Sequence, residues 1–347
     1  MAELPYFSSD EMIRYSRQFV LRHIGVEGQK KLKRAKIAVA GVGGLGGYIA
    51  LSLAGMGVGF LRIIDNDIVD LSNLHRQTNF EMNKIGRPKV EAIEERIKKV
   101  NPNVKVESST YTIDSDTSLK LADGIDIIVD GLDKIMPRIA INRASITKKI
   151  PYVHAGVLET YGNISTFVPG RTGCLECNIS ESLKESDLTC ETVGVLPSAV
   201  TVIASFEVNE VVSLIVGGRG LLENQLCVVD LSIPSLDIIP FQKNPNCKAC
   251  ESNYTTSIRK TSIVQSCGKN KFVISPPNTA NLDLSKISVK LSRYFKVKLQ
   301  TRYSINLAFD QNIGVSIMTT GNMLIKGAKD QAECEKIYKK VNKVISE

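Results

Sequence analysis

The sequence has no tryptophan, three histidines, and aromatic residues at only 6% of its 347 positions. Without Trp there is no Trp-rich belt of the kind that sits at a membrane interface. The histidines, His23, His75 and His154, do not cluster, so a metal trio is not expected and a structural role is expected for each. An unbroken apolar span is also missing. The longest apolar stretch, residues 196–218, is interrupted by Glu207, Asn209 and Glu210, which argues against a membrane crossing. Near the N-terminus stand Glu3, Asp10, Glu11 and Arg14 rather than an apolar signal core. A soluble, cytoplasmic protein is expected. Apolar residues at 43% and charged residues at 23% lie near the globular average, which excludes disordered and fibrous classes.

The length allows two domains, or one large core with an appendage. Charge divides the chain. Residues 255–347 carry 16 Lys and Arg against 6 Asp and Glu, or +10, and residues 1–254 carry 28 against 30, or −2. That shift predicts a boundary near residue 254. The basic part is expected to be a small α+β unit, with helices near 284–295 and 330–344 and strands between them.

In the first part, Ser8 with Glu11 three residues on reads as a capping box opening a helix through about residue 34. Apolar strands are predicted at 36–40, 61–64, 104–108, 125–129 and 152–155. Helices are predicted at 47–56, 90–99 and 138–147. A helix at 198–216 and strands at 225–230 and 236–240 follow. This alternation predicts a doubly wound, mostly parallel, Rossmann-like α/β sheet.

Gly41, Gly43 and Gly46 form G-x-G-x-x-G between the first strand and its helix, where backbone amides can approach phosphates. Asp65 lies 19 residues beyond Gly46, at the end of the next strand, where a ribose-binding acid belongs. A nicotinamide dinucleotide is the first candidate. However, Asn73, Arg76, Gln77 and Lys89 follow Asp65, and Asp133 follows the fourth strand. Two cations and a carboxylate at the carboxyl end of such a sheet suit a triphosphate with Mg²⁺ better.

Four of the eight cysteines form two C-x-x-C pairs, Cys174 with Cys177 and Cys247 with Cys250. Four thiolates fill a tetrahedral Zn²⁺ shell with no open position, so a structural zinc site is predicted. It would pin the end of the first domain onto its middle. Cys190 stands apart in a polar stretch. Cys227 reads as core, and Cys267 and Cys334 have no evident metal partner.

Several motifs together resemble the MoeB/ThiF/HesA family, relatives of the ubiquitin-activating enzymes. They are Arg14-Tyr15-Ser16-Arg17-Gln18, the run from Gly41 to Gly46, and Asp65-x-Asp67-x-Val69-x-x-Ser72-Asn73-Leu74-x-Arg76-Gln77. Gly86-Arg87-Pro88-Lys89, Asp130-x-x-Asp133, Leu188-Thr189-Cys190-Glu191 and both cysteine pairs also agree. The resemblance spans about residues 11–251. The basic tail is similar to a small domain appended to some prokaryotic members. The resemblance implies an enzyme that binds MgATP and adenylates the C-terminal Gly-Gly carboxylate of a ubiquitin-like sulfur carrier, releasing pyrophosphate. By resemblance the nucleotide meets Gly41, Gly43, Gly44, Asp65, Asp67, Asn73, Arg76, Gln77, Lys89 and Asp133. Among these, Asp65 takes the ribose, Asn73, Arg76 and Lys89 meet phosphates, and Asp133 holds Mg²⁺. Arg17 reaches into a partner subunit's site, which implies a homodimer. Cys190 attacks the adenylate to give a thioester, or forms an acyl-disulfide. Lys134 departs from the family, which has Asn after the metal-binding Asp.

Two other readings of the same sheet are a nicotinamide-dependent dehydrogenase and a non-catalytic scaffold that binds a carrier. The first leaves Arg76, Lys89 and the zinc pairs unexplained. Intact Arg17, Arg76, Lys89 and Asp133 speak against the second. The basic tail is either a solvated face or a surface that steers an acidic partner. An acidic ubiquitin-like carrier fits that partner better than tRNA, because no RNA-binding motif surrounds Tyr294, Phe295 and Tyr303. No rhodanese-like tail is evident, so a separate sulfur-donor protein is expected if sulfur is transferred. Sulfur transfer and protein conjugation are both open.

Overall fold

The computed structural model describes residues 6–179, 193–251, 261–265 and 270–346. The larger sheet contains β1 Lys36–Ala40, β2 Phe60–Ile64, β3 Lys105–Ser109, β4 Ile127–Asp130, β5 Tyr152–Leu158, β6 Tyr161–Phe167, β7 Gln225–Asp230 and β8 Ser235–Pro240. Their order is β3-β2-β1-β4-β5-β6-β7-β8. Strands β1 to β5 are parallel, and β6, β7 and β8 add on antiparallel. The central parallel strands β1 and β4 are almost wholly buried because both faces are covered, whereas the edge strand β3 is polar and partly exposed. In β1, Ile37 and Val39 pack with residues of the helices Gly44–Met56, Lys89–Val100 and Pro197–Gly217. Ala38 and Ala40 pack on the opposite face with the helices Ser115–Ala122 and Ile135–Lys148. The predicted doubly wound sheet is therefore present.

Several local expectations change. The capping box at Ser8 and Glu11 forms. The single helix expected through residue 34 is instead three pieces, Ser9–Arg14, Ser16–Phe19 and Gly25–Arg34. Gly25 has φ +58°, a left-handed conformation that interrupts the run. The glycine-loop helix starts at Gly44, three residues earlier than expected, with Gly43 as its N-cap. Strand β6 and helix Ser115–Ala122 were not expected. Helix Pro197–Gly217 has the length and apolar composition to cross a membrane. In this fold it packs on helix Gly44–Met56 and on β5 and β6, with Glu207 and Glu210 buried.

A second, antiparallel sheet holds β9 Ser262–Gln265, β10 Lys271–Ser275, β11 Lys296–Gln300, β12 Ser304–Ala308, β13 Gly314–Met318 and β14 Met323–Lys326. Its order is β11-β12-β13-β14-β10-β9. Alternation sorts its side chains. Phe272, Ile274, Ile305, Leu307, Val315, Ile317, Met323 and Ile325 form a separate core with the helices Leu284–Leu291 and Gln331–Ser346. The first of these helices ends four residues short of the expected 295. Cys334 lies in this core, and burial pushes its thiol up to about 11.

Residues in the alternate register turn to the larger unit. Asn306 Nδ2 donates to Gly86 O at 2.6 Å, and Asn322 Nδ2 donates to Thr110 O at 2.8 Å. The Ser275 and Thr112 hydroxyls are 2.7 Å apart. Arg302 pairs with Glu94, and Lys326 Nζ is 2.6 Å from Asp70 Oδ2.

Burial alone would raise the Asp70 carboxyl, but the Lys326 ammonium and the Ser72 amide bring it down to about 2. The docked fold therefore binds fewer protons than the unfolded chain below about pH 4. The stability this pair contributes is present above that pH and is lost as pH falls toward 2. Between pH 5 and pH 2 the melting temperature of the wild type is expected to fall more steeply than that of Asp70→Asn. Parallel curves would show that the pair contributes nothing to docking.

Candidate nucleotide-binding site

The strand order reverses between β1 and β4, and the glycine loop opens there. Gly41 has φ +82°, and a Cβ on it would lie 2.9 Å from Gly131 O, in the loop after β4. A Cβ on Gly46 would lie 1.8 Å from Gly41 O, so only glycine allows the turn to close. The amides of the first helical turn then point to the loop without intrahelical partners. Asp65, at the end of β2, fixes the loop: its Oδ2 accepts from Val42 N at 2.9 Å and its Oδ1 from Asp67 N at 2.8 Å.

The chain after β2 supplies the polar wall. Asp70 caps the short turn Leu71–Asn73, accepting from Ser72 N at 3.0 Å. Arg76 Nη1 donates back to Ser72 O at 3.2 Å. Asn73 and Gln77 are buried, yet Asn73 Oδ1 and Gln77 Oε1 have no hydrogen-bond partner among the described residues. The Gln77 amide lies about a van der Waals contact from where a Cβ on Gly43 would stand, at 3.5 Å. Unpartnered buried polar atoms beside an open run of amides fit a polar ligand such as a nucleotide.

Lys89 begins helix Lys89–Val100, and the Gly86-Arg87-Pro88-Lys89 segment is laced to the loop carrying Asp67. Val69 N donates to Arg87 O at 2.8 Å, Gly86 N to Val69 O at 2.9 Å, and Lys89 N to Asp67 O at 2.9 Å. The Lys89 ammonium is 2.8 Å from Asp67 Oδ2. Burial alone would lower Lys89, but Asp67 and Asp65 hold it well above the usual lysine range. Burial would raise Asp67, and Lys89 and Lys271 bring it far below the usual carboxylate range. Burial keeps Asp65 raised against the opposing pull of Lys89.

On the β4 side, Asp130 organises the loop that carries Asp133. Its Oδ1 accepts from Leu132 N at 2.8 Å, and its Oδ2 accepts from the Tyr152 hydroxyl at 2.7 Å. His154 Nδ1 lies 2.8 Å from Oδ2, and Arg138 Nε lies 3.1 Å from it. Arg138 Nη2 also donates to Leu132 O and Ala155 O. Burial, with Arg138 adding to it, lowers His154 against the pull of Asp130. Burial and Asp130 together push Glu207 well up against the pull of Arg138. Arg138 was not singled out from the sequence. Its signal was its place on the helix that follows Asp133.

Asp133 is exposed at the loop, near enough to Lys89 and Arg138 to raise both. Lys134, the departure from the family pattern, reaches the second sheet, where its Nζ donates to Gln265 O at 2.5 Å. Arg17 is exposed on helix Ser16–Phe19. Its neighbour Gln18 bonds Met56 O, and Tyr15 packs on Gly57, at the far end of helix Gly44–Met56. That helix is about 20 Å long at 1.5 Å per residue, so one chain holds its own Arg17 away from its glycine loop. Cys190 and Cys267 lie outside the described residues. Cys227 is buried in the core.

Cys174, Cys177, Cys247 and Cys250 do come together. Their sulfurs all lie within 4.8 Å of one another, with separations of 3.6 Å from Cys174 to Cys247, 3.8 Å from Cys174 to Cys177 and 3.7 Å from Cys177 to Cys250. Zinc–sulfur bonds of about 2.3 Å give a tetrahedral edge of about 3.8 Å, so the cluster could hold zinc. Its short helix Leu175–Asn178 is tied to helix Ile135–Lys148. Arg143 Nη2 is 2.9 Å from Glu176 Oε2, and Leu175 N donates to Asn142 Oδ1.

A glycine loop at the switch point, opposed by buried lysine and aspartate, places the chain in the nucleotide-binding class of doubly wound proteins. Within that class the chain belongs to the ThiF family, whose model matches residues 15–249. It is 30% identical over 337 residues to the sulfur carrier protein ThiS adenylyltransferase of Bacillus subtilis, covering 94% of this chain and 98% of that protein. It is 32% identical over 251 residues to the molybdopterin-synthase adenylyltransferase of Salmonella typhimurium, covering 72% of this chain and 99% of that one. The crystal structure of Escherichia coli MccB with ATP is similar at a TM-score of 0.62 and 27% identity, covering 71% of this chain and 75% of that chain. These relationships make the chain an enzyme of the adenylyltransferase class.

Metal analysis of protein expressed with zinc is expected to find one equivalent per chain. Cys247→Ser is expected to lose it and to melt at least about 5 °C lower. A metal-free wild type of unchanged stability would rule out a zinc site.

Proposed function

We propose that the protein uses ATP to adenylate the C-terminal glycine carboxylate of a ubiquitin-like sulfur-carrier protein, releasing pyrophosphate. The observation that carries this reading is the meeting of the glycine loop with Asn73, Gln77 and the Asp67–Lys89 pair, where Asn73 Oδ1 and Gln77 Oε1 can accept from the hydroxyl or amino groups of a nucleotide. End-to-end similarity to a ThiS adenylyltransferase supports the choice of substrate.

A carboxylate is a poor acyl donor, and its mixed anhydride with AMP is a good one. A carboxylate oxygen of the carrier attacks the α-phosphorus of ATP, the bond to the bridging oxygen breaks, and pyrophosphate leaves. Such a displacement needs positioning and charge neutralisation more than proton transfer. Gly41 N and Val42 N already donate to Ile64 O and Asp65 Oδ2, so the Gly43 and Gly44 amides at the helix start cradle phosphates, and Asp65 offers its remaining lone pairs to the ribose. Asn73, Arg76 and Lys89 hold phosphate oxygens. Asp133 would hold Mg²⁺, which neutralises charge on the phosphates. Arg17 serves the site of a second copy in a homodimer, consistent with its distance from the glycine loop of its own chain.

The zinc role is structural: a closed thiolate shell leaves no open position, and the cluster sits at the far end of helix Ile135–Lys148 from Asp133. Residues 1–254 form the adenylation domain and residues 255–347 the smaller basic domain. Cys190 receives the acyl group: its thiolate attacks the acyl carbon, a thioester forms and AMP leaves.

ATP–pyrophosphate exchange with purified small proteins ending in Gly-Gly tests the reading. Exchange is expected only with a cognate carrier, and Asp133→Ala is expected to lower it by at least about 100-fold. No exchange with any carrier would remove the proposed activity. Cys190→Ala is expected to keep exchange while losing a thiol-sensitive carrier conjugate on denaturing gels. A conjugate that survives this substitution would exclude Cys190 as acceptor.

A further inference from the structure

Lys271 belongs to the second sheet, yet it ends in the nucleotide site. It stands on β10 in the register that faces away from that sheet's own core. Its ammonium is 2.5 Å from Asp67 Oδ1, while Lys89 Nζ is 2.8 Å from Oδ2 of the same carboxylate. All three residues are less than a tenth exposed: Lys271 at 4%, Lys89 at 6% and Asp67 at 8%. A second link from the same unit lies beside Asp133, where Lys134 donates to Gln265 O on β9.

We propose that the C-terminal unit completes the nucleotide site, with Lys271 as a positioning residue that holds Asp67 and thereby sets Lys89 for the phosphates. This rests on the assignment of Lys89 to a phosphate under the proposed function.

The argument is electrostatic. A carboxylate between two ammoniums holds each less firmly, because each ammonium also feels the repulsion of the other. Without Lys271, the full charge of Asp67 is matched to Lys89 alone, and Lys89 must break a buried pair to meet a phosphate. The site also loses one positive charge where the surroundings screen it least. Both effects weaken a polyanionic ligand, and neither involves a carrier surface. A lysine that served only to dock the two units would act through stability, as other contacts of the same interface do.

Equilibrium binding of MgATP to the full chain, measured by titration calorimetry without carrier, tests this. Lys271→Met is expected to weaken binding roughly 10-fold or more, the scale on which a lost supporting partner weakens a site. The KM for carrier is expected to stay unchanged, and Lys271→Arg is expected to recover most of the loss. Asn322→Ala removes an interface bond to Thr110 and is expected to lower the melting temperature while keeping the MgATP affinity. Should Lys271→Met not fold, Lys271→Gln, which keeps a donor for Asp67 without the charge, reads the same loss. Wild-type affinity in either folded variant overturns the proposal, and so does an equal loss in Asn322→Ala. A wild-type chain that binds no MgATP overturns the proposed function itself.

Discussion

A carboxylate buried between two lysines stays charged only while a cation remains beside it, because the surroundings offer it no water. Removing one partner from a buried ion pair generally costs about 3–5 kcal/mol, because the remaining charge is left without water. In this chain the three charges come from three places. Asp67 lies in the loop after β2, Lys89 opens helix Lys89–Val100, and Lys271 stands on β10, 204 residues beyond Asp67. None of these elements can shift without breaking the cluster. The glycine loop is tied to the same group, because Asp65 bonds both Val42 N and Asp67 N. The glycine loop and Lys89 are thus held by one electrostatic knot.

The β4 side repeats the device with different groups. Asp130 is fully buried and is matched by Arg138, Tyr152 and His154. Its other oxygen fixes the start of the loop to Asp133. Arg138 closes that loop onto the carbonyls of Leu132 and Ala155. Helix Ile135–Lys148 then runs from this corner to the cysteine cluster, where Ile146 packs. A zinc ion there would stiffen the far end of the helix that carries the corner. Rigidity at both ends suits a reaction that depends on placing charges rather than moving protons.

Much of this was legible because the informative residues are local. Strands β1, β2, β7 and β8 are short apolar runs, and the glycine loop, Asp65, Asn73, Gln77 and Lys89 sit at fixed offsets from them. The cysteine pairs were readable for the same reason. Strand β6 was missed because Gly162, Asn163, Ser165 and Thr166 break its apolar pattern. Its polar atoms are satisfied inside the fold, with Thr166 Oγ1 donating to Glu210 Oε2 at 2.6 Å and Ser165 Oγ donating to Gln225 O at 2.9 Å. The broken N-terminal helix was missed because its pattern stays amphipathic across Gly25, whose φ is not written in the periodicity. Lys271 was invisible for a stronger reason. In the run Lys271-Phe272-Val273-Ile274-Ser275 it reads as an ordinary solvent-facing strand position, and only the docked sheet turns that position into a buried one.

The charge asymmetry of the chain takes on a second meaning in this light. The excess of +10 beyond residue 254 reads from the sequence as either a solvated face or a field directed at an external acidic partner. Part of it has an internal one. Lys271, Arg302 and Lys326 meet Asp67, Glu94 and Asp70, carboxylates of the slightly acidic first part. The three pairs differ in kind. Lys326 and Arg302 are more than half exposed, so solvent screens them and each contributes little to docking. Lys271 is buried, and its pair is unscreened. The two exposed pairs lie at the edge of the contact between the sheets, and under the proposal above the buried pair couples that contact to the nucleotide site. Cations that remain exposed, such as Lys336, Lys339, Lys340 and Lys343 on or between turns of helix Gln331–Ser346, lie on the far side of that sheet. A carrier steered by them would approach a unit already joined to the site it must reach.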